Sequence, residues 1–276
     1  MTAPVPTAGA GRPWLSVLTV ARGNRAGLIQ TRDSLREQVG GGAWEWVVVD
    51  GGSTDGTVPW LSEQAADLPA VRWCSASDRG PYDGMNRAMD RARGVWLLFL
   101  NAGDRLAGPD TLARLAAVAA TAPSAAGLLY GDALERLAGG AVVRKPARSH
   151  RTAVWGMFTH HQAMLYRHAV VAGLRYDLRF AIGADYAFTV QVLRRSGEPV
   201  RFAFPVCVFA PGGLSQRDPA TGRADLQAIR REYLGLNPTV CAAIKGLQFL
   251  VFFLRRHFPA LYAKGRFHTS VTTFRL

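Results

Sequence analysis

Two apolar runs stop abruptly at acidic residues, and this pattern leaves the chain few possible architectures. Trp44-Glu45-Trp46-Val47-Val48-Val49 ends in Asp50, and Val95-Trp96-Leu97-Leu98-Phe99-Leu100 ends in Asn101-Ala102-Gly103-Asp104. Short apolar runs of β-branched and aromatic character, bounded by turn residues, read as buried strands. A carboxylate just past such a strand stands at the carboxyl edge of the sheet. That edge is where open α/β sheets bind ligands.

The segments between the runs supply helices. Trp14 to Val20 reads as a first strand, and Asn24 as the cap of a helix carrying Leu28, Ile29, Leu35 and Val39. Small and capping residues from Gly51 to Thr57 open the next helix, Val71 to Cys74 is a third strand, and Tyr82 to Arg93 is helical. Strand and helix alternating at this spacing predict a parallel sheet with right-handed crossovers, an α/β Rossmann-like layout flanked by helices. Farther on, the pattern predicts a helix from about Pro109 to Ala120 with proline near its first turn. It also predicts a strand from Leu128 to Asp132 and a hairpin at Gly139-Gly140. Residues 145–159 lack periodicity and read as a substrate loop. Gln162 to Tyr166 is extended, Asp185 to Arg195 helical, and Val200 to Val208 extended.

Composition narrows the partners. With 49% hydrophobic residues in 276, the chain can bury a sizeable core. A net charge of +13 favours anionic partners such as phosphorylated substrates or anionic lipid. The arginines are dispersed and no zinc-finger, RRM or basic-zipper pattern occurs, so nucleic acid is set aside. Three cysteines without metal spacing argue against a disulfide framework and fit a reducing, cytoplasmic compartment. Residues 1–12 read as a flexible leader rather than a secretory signal, 13–236 as the main domain, and 237–276 as a helical extension. In that extension Val240, Ile244, Leu247, Val251, Leu254 and Phe258 recur at helical spacing, with Lys245, Gln248, Arg255 and Arg256 opposite. The helix is too polar to span a bilayer. Either it lies in an anionic membrane interface, on the inner face of the cell membrane, or it packs on the domain's own core.

Several residues carry candidate chemistry. Asp50 is placed to accept hydrogen bonds from a base or ribose, while Asp55 reads as a helix cap. Asn101 and Asp104 offer one amide and one carboxylate for a divalent cation held with a diphosphate; the alternative for Asp104 is a cap. Asp83 and Asn86 lie one helical turn apart and face the same way. Arg79 and Gly80 beside them can approach a phosphate. His160 and His161, adjacent on an extended segment, point to opposite faces and do not share one metal. One of them, with Gln162, reads as a substrate or diphosphate contact. Asp185 is either an N-cap or a general base for an acceptor hydroxyl.

In this order the landmarks resemble the family 2 glycosyltransferases of the GT-A fold, in particular the bacterial branch that builds extracellular polysaccharide and capsule units. The landmarks are the Asp50 turn, Asp78-Arg79-Gly80-Pro81-Tyr82-Asp83-Gly84-Met85-Asn86, Phe99-Leu100-Asn101-Ala102-Gly103-Asp104, and His161-Gln162 followed by Asp185-Tyr186. They span residues 14–210. The resemblance implies a transferase moving a sugar from a UDP-, dTDP- or GDP-sugar to a lipid-diphosphate-linked or saccharide acceptor. It implies that Asp50 meets the nucleotide base and that Asp83 and Asn86 shape the donor pocket. It further implies that residues 101–104 stand at the family's Asp-X-Asp position with Mg²⁺ or Mn²⁺, and that Asp185 is the base of an inverting displacement. The chain departs from the pattern at Asn101 and Gly103, where many relatives carry Asp, and at Ala184, where many carry Glu. Asp104 is then the sole carboxylate of the metal motif, and a nucleotide-sugar-binding protein without turnover is the alternative. The chain has no Gln-X-X-Arg-Trp segment, which implies a non-processive enzyme.

Overall fold

The computed structural model describes residues 11–67, 71–137, 140–210, 218–257 and 273–274. Four parallel strands form the centre in the order β3-β2-β1-β4: β1 (Leu15–Ala21), β2 (Trp44–Asp50), β3 (Val71–Ser75) and β4 (Trp96–Phe99). Residues of alternate parity point to opposite faces, and both faces are covered. Leu18, Val20, Val47, Val49, Leu97 and Phe99 pack with Met85, Ala88 and Met89 of α3 (Pro81–Arg91). Leu15, Val17, Trp46, Val48, Trp96 and Leu98 pack with Leu28 and Leu35 of α1 (Arg25–Arg36) and Leu112 and Leu115 of α4 (Thr111–Thr121). Burial on both faces is why these strands read as unbroken apolar runs. α2 (Thr57–Asp67) joins β2 to β3.

Beyond β4 the sheet turns antiparallel. β5 (Arg105–Leu106) precedes α4 and lies off the main path. β6 (Leu128–Arg136), β7 (Val142–Lys145) and β8 (Met164–Arg167) continue the sheet in the order β4-β8-β6-β7, with β6 and β7 forming the expected hairpin. The 145–159 stretch is not wholly irregular, since His150–Trp155 forms a 3-10 turn. α5 (His168–Val171) and α6 (Ala184–Arg195) lead into β9 (Val200–Phe209), which runs parallel to β6 and antiparallel to β5. α7 (Pro219–Glu232) and α8 (Pro238–His257) follow, and β10 (Thr273–Phe274) returns to pair with β7. The C-terminal extension therefore rejoins the sheet at its end.

Local chemistry explains several boundaries. The Asn24 side chain accepts from Gly27 N at 3.0 Å and caps α1. Asp55 Oδ1 accepts from Thr57 N at 3.3 Å, and Asp55 Oδ2 from Arg25 N at 2.9 Å, so it caps α2 and tethers α1. Pro109 is not in the first turn of α4; its carbonyl accepts from Val39 N, and the helix begins two residues later. Cys207 and Cys241 are buried, as small apolar side chains are, and Cys74 is half-buried. Most of the expected leader, and the side chains of Val251, Leu254 and Phe258, lie outside the described residues.

Candidate active site

The loops that follow β1, β2, β3 and β4 meet at the carboxyl edge and are stitched together there. Gly23 N donates to Ser53 Oγ at 2.7 Å, Asn24 Nδ2 to Ala102 O at 3.1 Å, and Ser75 Oγ to Asp50 Oδ2 at 2.6 Å. Asp50 is wholly buried. Its Oδ2 also accepts from Gly52 N and Ser53 N, at 3.1 and 2.9 Å, and its Oδ1 accepts from Ser53 Oγ. The expected base-contacting carboxylate is thus engaged at both oxygens in shaping the turn.

Asp83 behaves alike. Its Oδ2 accepts from Arg79 N at 3.1 Å and Arg87 Nη2 at 2.9 Å. Asn86 is used completely by one backbone unit: Nδ2 donates to Tyr176 O at 3.1 Å and Oδ1 accepts from Tyr176 N at 2.8 Å. Both residues are engaged within the protein, Asp83 with Arg79 and Arg87 and the Asn86 amide with Tyr176. Arg79, at the N-terminus of α3, extends a guanidinium that is 78% exposed.

At the end of β4, Asp104 does not cap α4. Its Oδ2 accepts from Gln162 Nε2 at 3.0 Å and its Oδ1 from Ala210 N at 2.9 Å. Burial raises its carboxyl to about 6, opposed by those hydrogen bonds. Asn101 Oδ1 is the exception at this edge, a buried acceptor without a donor among the described residues. Gly103 has φ +105°, a conformation that favours glycine over the carboxylate-bearing residues of the family pattern. Among the described residues no cluster of three His, Cys, Asp or Glu stands ready for a metal ion. A cation held with a diphosphate needs only one or two protein oxygens, and here Asn101 Oδ1 and the Asp104 carboxylate would be the groups to meet Mg²⁺ or Mn²⁺.

The His-His-Gln segment sorts differently from expectation. His161 is buried, stacks on Phe99 at 4.8 Å and meets Tyr176 Oη at 2.8 Å. Burial lowers its pKa to about 3, so it is a neutral core histidine rather than a diphosphate contact. Gln162 faces Asp104. His160 lies nearer the surface, 2.6 Å from Glu135 Oε1 and stacked on Phe209. With Lys145 Nζ at 2.7 Å from the same oxygen, this pairing takes the Glu135 carboxyl down to about 2.

Asp185 lies in the first turn of α6, after the cap position Gly183. Its Oδ1 accepts from Tyr186 N at 2.8 Å. Desolvation raises its carboxyl to about 6, opposed first by the Tyr186 N–H and less by the nearby Tyr82 hydroxyl. Tyr82 stacks on Tyr176 at 5.5 Å, and its hydroxyl donates to Ile182 O. A half-buried carboxyl with its pKa raised toward neutrality, beside an aromatic wall, is able to accept a proton near neutral pH.

Three further residues complete the edge. Thr31 Oγ1 donates to Asp104 O at 2.8 Å and accepts from Gly103 N at 3.1 Å, pinning the loop after β4 to α1. A polar residue on the apolar stripe between Leu28 and Leu35 is its signal in the sequence. Asp78, half-buried, accepts from Gly80 N and lies against two glycines. A Cβ on Gly51 would stand 2.4 Å from Asp78 Oδ2, and one on Gly84 3.4 Å from it. Ser75, the last residue of β3, holds Asp50.

Comparison with known proteins agrees with this geometry. The mannosyltransferase PcManGT from Pyrobaculum calidifontis, in complex with GDP-Man and Mn²⁺, superposes with a TM-score of 0.65 at 19% identity, covering 97% of this chain and 79% of that one. S. aureus TarS 1-349 in complex with UDP-GlcNAc gives 0.62 at 18%, covering 89% and 72%. These likenesses show the GT-A fold. In sequence, the chain is 34% identical over 248 residues to the uncharacterized glycosyltransferase Rv1514c of Mycobacterium tuberculosis, covering 87% of this chain and 93% of that protein. It is likewise 34% identical over 212 residues to a PGL/p-HBAD biosynthesis glycosyltransferase of Mycobacterium bovis, covering 74% and 79%. The family model for glycosyl transferase family 2 matches residues 16–174. With that match across the stitched edge, and curated relatives along most of its length, the chain belongs to glycosyltransferase family 2 and is a nucleotide-sugar glycosyltransferase.

Proposed function

We propose that this enzyme transfers a single sugar, with inversion, from a UDP-, dTDP- or GDP-sugar to a hydroxyl of a lipid-linked or saccharide acceptor, in cell-surface polysaccharide assembly on the cytoplasmic side of the membrane. Asp185 takes the proton from the acceptor hydroxyl. The acceptor oxygen then forms its bond to the anomeric carbon as the bond to the diphosphate breaks, and that electron pair leaves on the diphosphate. Arg79 and the N-terminus of α3 offer positive charge to the leaving group. Asp50, Asp83 and Asn86 hold the donor-side walls, and Asp104 with Gln162 holds the loop that presents Asn101. No step is routed through a cation.

The observation that carries this reading is Asp185: a half-buried carboxyl in the first turn of α6, its pKa raised to about 6 by desolvation, near Tyr82 on the helix that follows β3. The solved neighbours with UDP-GlcNAc and GDP-Man support a nucleotide-sugar donor. The test is a panel of UDP-, dTDP- and GDP-sugars with a soluble acceptor, the product's anomeric configuration being read by NMR. Product of retained configuration would overturn the single displacement. A second reading, nucleotide-sugar binding without turnover, is favoured by the engagement of both Asp104 oxygens; donor binding without any transfer or hydrolysis would establish it.

A further inference from the structure

Among the described side chains of its first three turns, helix α8 meets the rest of the domain along one strip. Cys241 and Ile244 are buried, and Gln248 Nε2 donates to Trp155 O at 3.0 Å. Positions 241, 244 and 248 fall on one helical stripe. Away from that strip large apolar side chains stand uncovered, with Lys245 at their flank: Val240 is 41% exposed, Leu247 47%, Leu250 49% and Phe249 69%. Ala242, Ala243 and Gly246 between them are also exposed. Trp155, beside the strip, adds a further exposed ring. Elsewhere among the described residues exposed large apolar side chains stand singly, as Val39, Leu137 and Leu178 do. Scattered residues of that kind need no partner, but a contiguous patch marks an interaction site.

Charge selects the partner. From Tyr233 to Leu276 the sequence has no Asp or Glu, and it has six Lys or Arg: Lys245, Arg255, Arg256, Lys264, Arg266 and Arg275. A second copy of the chain laid on this face would set cation against cation. An anionic lipid surface meets both halves of the pattern, since apolar side chains enter the acyl boundary while Lys and Arg reach the phosphates. No helix among the described residues is long and apolar enough to cross a membrane, so α8 fits in the plane of the interface.

We infer that the outer face of α8 is a docking surface for anionic phospholipid bilayers. The seat of this helix is mechanically continuous with the candidate site. The buried Arg230 of α7 donates to the carbonyls of Val154 and Trp155, at 3.0 and 3.2 Å, and Tyr186 Oη donates to Ala153 O at 2.5 Å. Trp155, on which Gln248 rests, is thereby tied to the residue following Asp185. Docking itself does not depend on the transfer reaction.

The test is flotation of the full chain with vesicles of phosphatidylcholine alone and of phosphatidylcholine mixed with phosphatidylglycerol. The expected result is flotation with the anionic vesicles, weakened by high salt, and little with the neutral ones. Lys245→Gln should weaken partitioning by about fivefold, the effect of one surface cation. Leu247→Glu combined with Leu250→Glu should abolish it while the circular dichroism spectrum stays that of the parent chain. Equal flotation of the parent with neutral vesicles would overturn the anionic preference. Unchanged flotation of the double variant would remove α8 from the docking surface. A parent dimer that the double variant converts to monomer, without flotation of either, would assign the face to a second copy instead.

Discussion

Gln162 Nε2 lies 3.0 Å from Asp104 Oδ2, and this hydrogen bond joins the loop after β4 to the turn that leads into β8. Asp104 is an acid whose folded-state pKa, about 6, lies above its ordinary 3.8. The folded state therefore holds a proton that the unfolded state has released between those values, and stability falls as pH rises through about 6. Gln162→Leu removes a donor from the ionised form and raises the carboxyl further. The expected loss is about 1–3 kcal/mol above that pKa and smaller below it. Urea unfolding at one pH on each side of the pKa checks the sign; an equal loss at both would mean that Gln162 acts through packing alone.

Tyr82 and Asp185 make the second prediction. A base must be ionised to act, so turnover should fall as pH drops through the region of about 6. Among the described residues the charge of Asp185 is felt by the Tyr82, Tyr166 and Tyr176 phenols, whose own pKa values it helps to raise. Tyr82→Phe removes a hydroxyl that favours the charged carboxylate, and the acid limb of the kcat profile should move to higher pH. Asp185→Asn should lower kcat by about 10²–10⁴-fold with donor Kd unchanged, the size typical of a lost proton acceptor. A variant with full turnover would end the assignment.

The unpartnered Asn101 Oδ1 gives a third. Asn101→Asp is nearly isosteric and places an anionic oxygen at that position. Mn²⁺ affinity measured in the presence of nucleoside diphosphate should rise by about tenfold or more, as one added carboxylate does for a hard cation. No change would mean that the oxygen faces away from the diphosphate.

Asn86 gives a fourth. Asn86→Leu leaves the Tyr176 N–H and C=O unpaired and should cost about 1–3 kcal/mol in thermal or urea unfolding. Asn86→Asp keeps the acceptor for Tyr176 N and should fall between the two. If donor affinity collapses in Asn86→Leu while stability is untouched, Asn86 is a ligand group and not a brace.

Much of this was readable before any coordinates. Trp44 to Asp50 is a strand over those very residues, Asn24 caps α1, and Asp55 caps α2, because each of these is decided by neighbours close in sequence. Strand order also puts Asp50 and Asp104 where expected, at and just past the carboxyl ends of β2 and β4. What those carboxylates bond to was not readable. Asp104 answers to Gln162 and to Ala210, 58 and 106 residues away, and Asn86 to Tyr176, 90 residues away. Two adjacent histidines also look alike in sequence, and only packing decides that His161 enters the core while His160 meets Glu135. On α8 spacing could not say which side rests on the domain: Ile244 of the apolar stripe is buried beside Cys241, Val240 and Leu247 are exposed, and Gln248 from the opposite face meets Trp155.

The crosslinks among the loops at the carboxyl edge bear on how a ligand is met there. Ser53 to Gly23, Asn24 to Ala102, Ser75 to Asp50 and Thr31 to Asp104 are all made within the protein. The rotamers and backbone angles of this rim are therefore fixed when the chain folds, so a nucleotide bound here as proposed would meet groups already oriented. Association on such a preorganised rim loses little conformational entropy, so selectivity rests on shape and hydrogen-bond match rather than on ordering the protein.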